Sequence, residues 1–474
     1  MSKHTLLEKR VPIELDNPAI ELIEEKCLKC GLCKKACTDY ITVQGHYDLE
    51  CTGDKAICIH CGQCVSACPF NAIIEKKEYD FVKEAINDPD KIVIFSTAPA
   101  VRVALGDEFG IEEGSYVEGK MVSLLRKLGG DYVLDVNFGA DLTIMEEASE
   151  LIERITKKDK PLPQFTSCCP SWVEFAETFY PEMIPHISST KSPIGMQGAT
   201  IKTFFAKKMG IDPSRIVNVT VAPCTAKKAE IRRDEMNSAG KYIGNEAMRD
   251  NDFVITTTEL AEWAKKEEID FAALEDSSFD RIMGEATGAG VIFGNTGGVM
   301  EAALRTAYEF ITKEKAPEVL YELEPVRGME QVKEATLTIG EYTLNVAAIY
   351  GTGNARKFLD ELKESGKEYH FVEVMTCPGG CIGGAGQPKH KRNKIDEVRN
   401  KRVAGLYNQD KAMKKRASHE NEEIKALYEE FLGAPLSHLA EEILHTSFTD
   451  RSGSLNVTAP AAEAAAANEA ENIG

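Results

Sequence analysis

"RIVNVTVAPC" (215–224) carries no charge after Arg215 and ends on a proline and a cysteine. A continuous run of β-branched and small apolar residues fits a strand buried on both faces, as in parallel sheets. "FVEVMTCPGGC" (371–381) repeats the arrangement, a strand-like run and then a cysteine. In open α/β sheets, ligands collect at the carboxyl ends of strands. The two stretches together predict a parallel α/β fold with Cys224 and Cys377 beside a site.

Working outward, "KIVIFSTA" (91–98), "DYVLDVNF" (131–138) and "LNVAAIY" (344–350) also read as buried strands. Amphipathic stretches lie between them, including "TIMEEASELIERI" (143–155) and "GGVMEAALRTAYEFI" (297–311). The pattern divides the chain into an extension (1–20), a cysteine-dense segment (21–84), a larger α/β domain (85–450) and a tail (451–474) expected to be disordered. "SHENEEIKALYEEFL" (418–432) reads as a helix N-capped by Ser418, with Glu420 and Glu422 in its first turn and Asn421 where a capping box wants Glu or Gln.

The net charge of −20 argues against nucleic acid. No apolar run approaches the roughly 18 residues of a membrane helix, and "MSKHTLLEKR" lacks a signal-peptide core; the expectation is a cytoplasmic protein without a membrane partner. Residues 389–416 break the acidic trend and read as a solvated helix or as a docking patch for an acidic protein.

Fourteen cysteines are many for a reducing compartment and point to metal. Cys27, Cys30, Cys33 and Cys37 follow C-x2-C-x2-C-x3-C; Cys58, Cys61, Cys64 and Cys68 repeat it, followed by Pro69. This is the run that binds two [4Fe–4S] clusters in bacterial ferredoxins, with the fourth cysteine crossing to the other cube. One cluster is therefore assigned to Cys27, Cys30, Cys33 and Cys68, the other to Cys58, Cys61, Cys64 and Cys37. Structural zinc would need the same spacing twice by chance. Cys51 reads as a free buried thiol and His60 as a surface residue. Cys168, Cys169, Cys224, Cys377 and Cys381 remain. Four of these could complete a further cube, leaving one spare thiol. Adjacent cysteines such as Cys168 and Cys169 rarely bond to each other. A thiol beside a metal site can instead move protons.

"FTSCCPSW" (165–172), "APCTAKKAE" (222–230) and "EVMTCPGGCIGGAGQP" (373–388) resemble the three signature motifs of the [FeFe]-hydrogenases. "TAPAVRVALGDEFG" (97–110) and "NFGADLTIMEEASEL" (137–151) are similar to that family too. The resemblance implies a two-lobed α/β catalytic domain with mostly parallel sheets, plus a small α+β ferredoxin-like domain. It implies an anaerobic enzyme for reversible 2H⁺ + 2e⁻ = H₂. The implied cofactor is a [4Fe–4S] cube joined to a di-iron unit with CO, cyanide and azadithiolate ligands, the H-cluster. Cys169, Cys224, Cys377 and Cys381 would hold the cube, and Cys381 would bridge to the di-iron unit. Cys168 would exchange protons with the bridging amine, and Lys227 would hydrogen-bond a cyanide. Ala98, Pro99 and Met375 would cradle the di-iron unit. Glu147 and Glu150 match the proton-relay glutamates, three apart on one helix face; Ser188 matches the serine between them, and Glu230 joins the candidate set. Implied partners are ferredoxin or flavodoxin as electron donor, and maturation proteins for the di-iron unit.

Ala222, Ile194 and Ala385 depart from the commonest pattern: Ala222 stands where many members carry methionine, Ile194 replaces a polar residue, and Ala385 interrupts a glycine run. "GTGNARKF" (351–358) offers Gly351 and Gly353 after a strand but lacks the third glycine of a dinucleotide loop. Three other readings stand beside the enzyme. An iron–sulfur assembly factor would have no use for Cys168 or the glutamate pair. A hydrogen sensor would append a signalling domain, and a subunit of an electron-bifurcating complex would carry extra cluster domains.

Overall fold

The structure, a computed structural model, describes residues 9–457; residues 1–8 and the tail beyond 457 lie outside it. The cysteine-dense segment folds around β1 (Ile20–Leu22) and β2 (Ile73–Glu75), an antiparallel pair. Val11, Ala19, Ile20, Val65 and Ile73 pack with Cys33 and Cys68 into its small core. Part of the expected extension therefore belongs to this domain, because Val11 and Ala19 are apolar residues that the cluster loops bury.

The larger domain has two sheets. The first comprises β3 (Ile92–Thr97), β4 (Tyr132–Asp135), β6 (Ile216–Ala222) and β7 (Phe253–Thr256), ordered β4-β3-β6-β7 and parallel throughout. Every residue of β6 is buried, as its uninterrupted apolar run requires. The second sheet is ordered β5-β10-β9-β8, with β5 (Gln164–Phe165), β10 (Phe371–Met375) and β9 (Tyr342–Tyr350) parallel. β8 (Val332–Ile339) is an antiparallel edge strand. Its alternation of exposed and buried residues marks one solvated face. β7 and β8 were not among the expected strands, since "FVIT" is short and "VKEATLTI" mixes charge with apolar residues.

Local chemistry corrects several expectations. The stretch 131–138 stops being a strand at Asp135, whose carboxylate accepts from Asn137 N (2.7 Å) and caps the helix Val136–Thr156. Ser418 is not a cap. It starts a short 3-10 turn and is buried, while Asn421 accepts from Glu423 N (3.0 Å) and Ile424 N (3.3 Å) to start Glu422–Leu427. Glu420 reaches back to Ala417 N (3.0 Å), so the glutamate precedes the cap. The tail is ordered further than expected: Arg451 pairs with buried Glu177 (2.9 Å), and Val457 N donates to Cys51 O (2.9 Å). Cys51 is half-buried rather than buried.

The basic segment is not simply a solvated helix. Ile395–Ala412 buries Val398, Arg402, Leu406 and Asp410, and Arg402 pairs with Asp107 at 2.6 Å. Gly353 abuts Tyr40 O, which an added Cβ would meet at 2.7 Å. That glycine packs closely against the small domain.

The two domains meet at Gly62, where φ is +66° and an added Cβ would lie 2.5 Å from Ala385 Cβ and Thr225 Oγ1. Thr225 Oγ1 donates to His60 O (2.8 Å) across the same seam. Gly62→Ala combines a left-handed penalty of about 1–2 kcal/mol with a clash against the Ala385 and Thr225 side chains. Limited proteolysis should show residues 21–84 cut faster in this variant; a digestion pattern identical to the parent would contradict the docking role of this glycine.

Candidate active site

Four strand ends converge between the sheets. Ala98 and Pro99 follow β3, and Ala98 N donates to Val221 O (2.9 Å). Cys168 and Cys169 follow β5, Cys224 follows β6, and Thr376 and Cys377 follow β10. Pro170 occupies the first turn of the helix Pro170–Phe179, where its missing N–H costs nothing, so Cys169 sits as the N-cap. Gly380 (φ +97°) turns the backbone so that Cys381 returns to the same space.

Burial first, and then the charges of neighbouring thiols, Cys169 among them, push Cys224 (to about 11), Cys377 and Cys381 up. Neutral thiols crowded in a dry hole are poorly solvated as thiolates, and bound iron would hold them deprotonated. Cys169 Sγ lies 3.4 Å from Thr376 Oγ1, and Cys377 Sγ accepts from Gln63 Nε2 at 3.2 Å. This donor set suits a cube.

The eight cysteines of the two spaced runs line two small cavities. Cys27, Cys30, Cys33 and Cys68 line one, together with Leu28, Lys29 and Phe70. Cys37, Cys58, Cys61 and Cys64 line the other. The grouping is the crossed one expected from the spacing. Cys37 lies within a helical turn and Cys68 ends the helix Gln63–Ala67. Backbone amides point at the thiols: Ala72 N to Cys68 Sγ (3.3 Å) and His60 N to Cys58 Sγ (3.4 Å). Among the described residues no three Cys, His, Asp or Glu side chains converge as they would on one ion. His60 is not a surface residue; Nδ1 meets Glu174 Oε2 at 2.8 Å, with both side chains largely covered.

Cys168 is buried beside this group. Burial first, and then the charges of Glu147, Cys169, Glu373 and Cys381, push its thiol well above the usual range. Glu147 is fully buried, and neither carboxylate oxygen has a hydrogen-bond partner in the protein. Burial, then Glu150 and Glu373, raise its pKa well above that of an ordinary glutamate. Glu150, one helical turn on, is the opposite case. Burial works against its charge, but Arg154 (2.8 Å), Lys160 (3.0 Å) and Ser188 Oγ (2.7 Å) outweigh it and hold the carboxyl low. Lys160 is half-exposed, which opens this end to solvent.

Ser188 lies at Glu150, and its hydroxyl continues through Thr190 Oγ1 (2.9 Å) to Ser167 Oγ (3.1 Å), the neighbour of Cys168. Sequence reasoning missed Thr190, Arg154 and Lys160. The i,i+4 spacing of Glu150 and Arg154 was a usable signal; Lys160 was not marked by any. Lys227 Nζ donates to Cys168 O (3.0 Å) and pairs with Glu230 Oε2 (2.8 Å). Glu230 is thus the counter-ion of Lys227 and makes no contact with the glutamate pair. Met375 is buried at the end of β10, with its carbonyl accepting from Gly351 N (2.8 Å). Ala222 and Ile194 share one apolar cluster with Ala98, so the small and the large replacement pack in the same core.

Comparison with known proteins agrees with this geometry. Residues 91–385 match the family model for the iron only hydrogenase large subunit, C-terminal domain, and 396–451 that for the iron hydrogenase small subunit. Residues 24–40 and 52–74 match 4Fe-4S binding domains. The chain is 44% identical over 446 residues to the NADP-reducing hydrogenase subunit HndD of Solidesulfovibrio fructosivorans, covering 90% of this chain and 74% of that one. It is 44% identical over 438 residues to iron hydrogenase 1 of Clostridium pasteurianum, covering 89% and 74%. A structure of the [FeFe]-hydrogenase HydA1 from Chlamydomonas reinhardtii superposes with a TM-score of 0.68 at 40% identity, over 78% of this chain and 98% of that one.

Glu147 yields a pH prediction. A carboxyl whose folded-state pKa is raised contributes fully below the ordinary glutamate range and loses that contribution as pH rises toward the folded value. Glu147→Gln removes the loss. Its stability relative to the parent should grow by up to about 1.4 kcal/mol per pH unit above pH ~4.5. Thermal unfolding of the two proteins from pH 5 to 8 measures this; a pH-independent difference would show that Glu147 is charged in the folded protein.

Proposed function

This chain belongs to the iron-only hydrogenase family, an enzyme of H₂ with 4Fe–4S ferredoxin-like domains, and on that premise we propose how its residues divide the work. Cys169, Cys224, Cys377 and Cys381 hold the active-site cube, and the two cysteine-lined cavities of the small domain hold one cube each. The H-cluster, when bound, supplies the exchange of electrons and protons with hydrogen. Ala98, Pro99 and Met375 shape the dry pocket beside it. The buried Lys227 ammonium is placed for an anionic ligand, and Glu230 keeps it charged.

The observation that carries the proton route is the pairing of two buried, titratable groups with unusual freedom: Cys168, which no cube needs, and Glu147, whose oxygens have no partner. A polar atom left unpaired in a protein interior is costly unless it works. Protons pass between Cys168 and Glu147, and then by way of Ser188 and Glu150 toward the half-exposed Lys160, while buried Arg154 fixes the Glu150 carboxylate. A cluster-assembly role would leave all these groups idle.

Electrons enter at the outer cavity. Cys30 is exposed there, as are Leu28 and Phe70. Lys9, Arg10 and Lys29 line it, and exposed Lys26 and Lys35 flank its cysteines in the chain without an ion pair among the described residues, against exposed Glu25 and the Arg10-bound Glu24. Lys389 Nζ reaches Asn71 Oδ1 (2.8 Å) on the other side and brings exposed Lys391, Arg392 and Lys394 close. A basic, apolar-centred mouth on a chain of charge −20 fits a small acidic carrier, ferredoxin or flavodoxin. Maturation proteins deliver the di-iron unit. The enzyme works in the cytoplasm, where such clusters and carriers are at hand; among the described residues no helix is long and apolar enough to cross a membrane.

Cys168→Ala should retain its iron yet lose at least about 100-fold in hydrogen evolution, the scale of a lost general acid–base group. Parent-like turnover in that variant would remove Cys168 from the route. Lys26→Glu with Lys29→Glu should raise KM for reduced ferredoxin about tenfold and leave dye-driven turnover unchanged. Equal effects with both donors would move the electron entry elsewhere.

A further inference from the structure

Gln63 stands between Cys61 and Cys64 in the loop that lines the inner cavity of the small domain. Its side chain does not face that cavity. It is buried and crosses the domain seam, where Nε2 donates to Cys377 Sγ at 3.2 Å and lies 3.5 Å from Gly383 O. Both neighbours are acceptors, which fixes the amide nitrogen rather than the oxygen toward the thiol. Gly62 (φ +66°) lets the chain turn close to Thr225 and Ala385, so the helix Gln63–Ala67 begins with Gln63 pointing into the catalytic domain. Cys61 and Cys377 are near enough for the charge of one to raise the pKa of the other.

We propose that Gln63 is a potential-setting residue: its amide donates to the Cys377 thiolate and raises the reduction potential of the active-site cube relative to the cubes of the small domain. The inference rests on the reading that Cys169, Cys224, Cys377 and Cys381 hold a cube. A hydrogen bond to a cluster sulfur stabilises the reduced form, which carries more negative charge, more than the oxidised form. The effect is local because the donor is neutral and touches one ligand. It also has a place in electron flow. The residue that joins the two domains makes the inner end of the wire the easier to reduce, so electrons arriving through Cys61 and Cys64 settle at the active site. Docking of the small domain and tuning of the catalytic cube thereby become one contact. Gln63 is a positioning and tuning group; it has no part in moving protons.

The test uses the full chain, purified anaerobically with its iron–sulfur clusters and without the di-iron unit, so that no turnover enters the measurement. Redox titration followed by electron paramagnetic resonance gives one reduction wave per cube. The wave missing from Cys377→Ala identifies the catalytic cube. Gln63→Leu removes the donor at similar volume, and Gln63→Asn keeps an amide that falls short of the sulfur. Both should move that wave alone to lower potential while iron content and the other two waves stay as in the parent. Parent-like potential in both variants, with all three cubes present, would overturn the proposal. So would a joint shift of all three waves, which would make Gln63 a packing residue of the small domain. Iron for two cubes instead of three in the parent would instead refute the underlying assignment of the four cysteines.

Discussion

The carboxyl ends of parallel strands from two sheets meet at one gap, and the chemistry of the larger domain follows from that. A strand can place a residue deep inside a protein only while its backbone is paired; the first residues after its end are free of the ladder and can turn their side chains into the gap. β3, β5, β6 and β10 each deliver their next residues there, which is why Ala98, Cys168, Cys169, Cys224 and Cys377 come together from distant parts of the sequence. Cys381 is the exception. It reaches the gap through the turn at Gly379 and Gly380, both at positive φ, conformations that suit glycine.

The gap is dry, and this sets the electrostatics. Glu147 and Glu150 lie on one face of one helix, yet their environments drive them apart. Glu150 has a guanidinium, an ammonium and a hydroxyl within hydrogen-bond distance, whereas Glu147 has no partner. Charge is favoured on Glu150, chiefly by Arg154 and Lys160, and disfavoured on Glu147, chiefly by burial. Two carboxyls one helical turn apart thus have pKa values pushed in opposite directions. Lys227 is the compensating feature on the far side, a buried cation kept charged by Glu230 and by the thiols around it.

Much of this was legible in the sequence because the constraints are local. The spacing of Cys27 to Cys37 and Cys58 to Cys68 is dictated by one loop around one cube, and the grouping of thiols around the two cavities follows it. Strands buried on both faces, such as Ile216–Ala222, announce themselves as unbroken apolar runs. What was hidden depends on contacts between distant segments. Asp135 ends a strand-like run because its carboxylate serves the following helix and Arg102 together. Ser418 looked like a cap, but it is buried and Asn421 holds the cap position. Lys160, Thr190 and Gln63 belong to the site through neighbours 10 to 314 residues away or through two hydroxyls in series, and no periodicity marks them.

The central claim is that these strand ends build a working hydrogen-converting centre and not merely a cluster holder. The most direct measurement is the infrared spectrum of the matured protein, purified without oxygen, in the region where iron-bound CO and cyanide stretch. The account predicts bands that shift when hydrogen replaces argon. An empty window, with all iron–sulfur clusters present and a control hydrogenase matured in parallel showing its own bands, would contradict it.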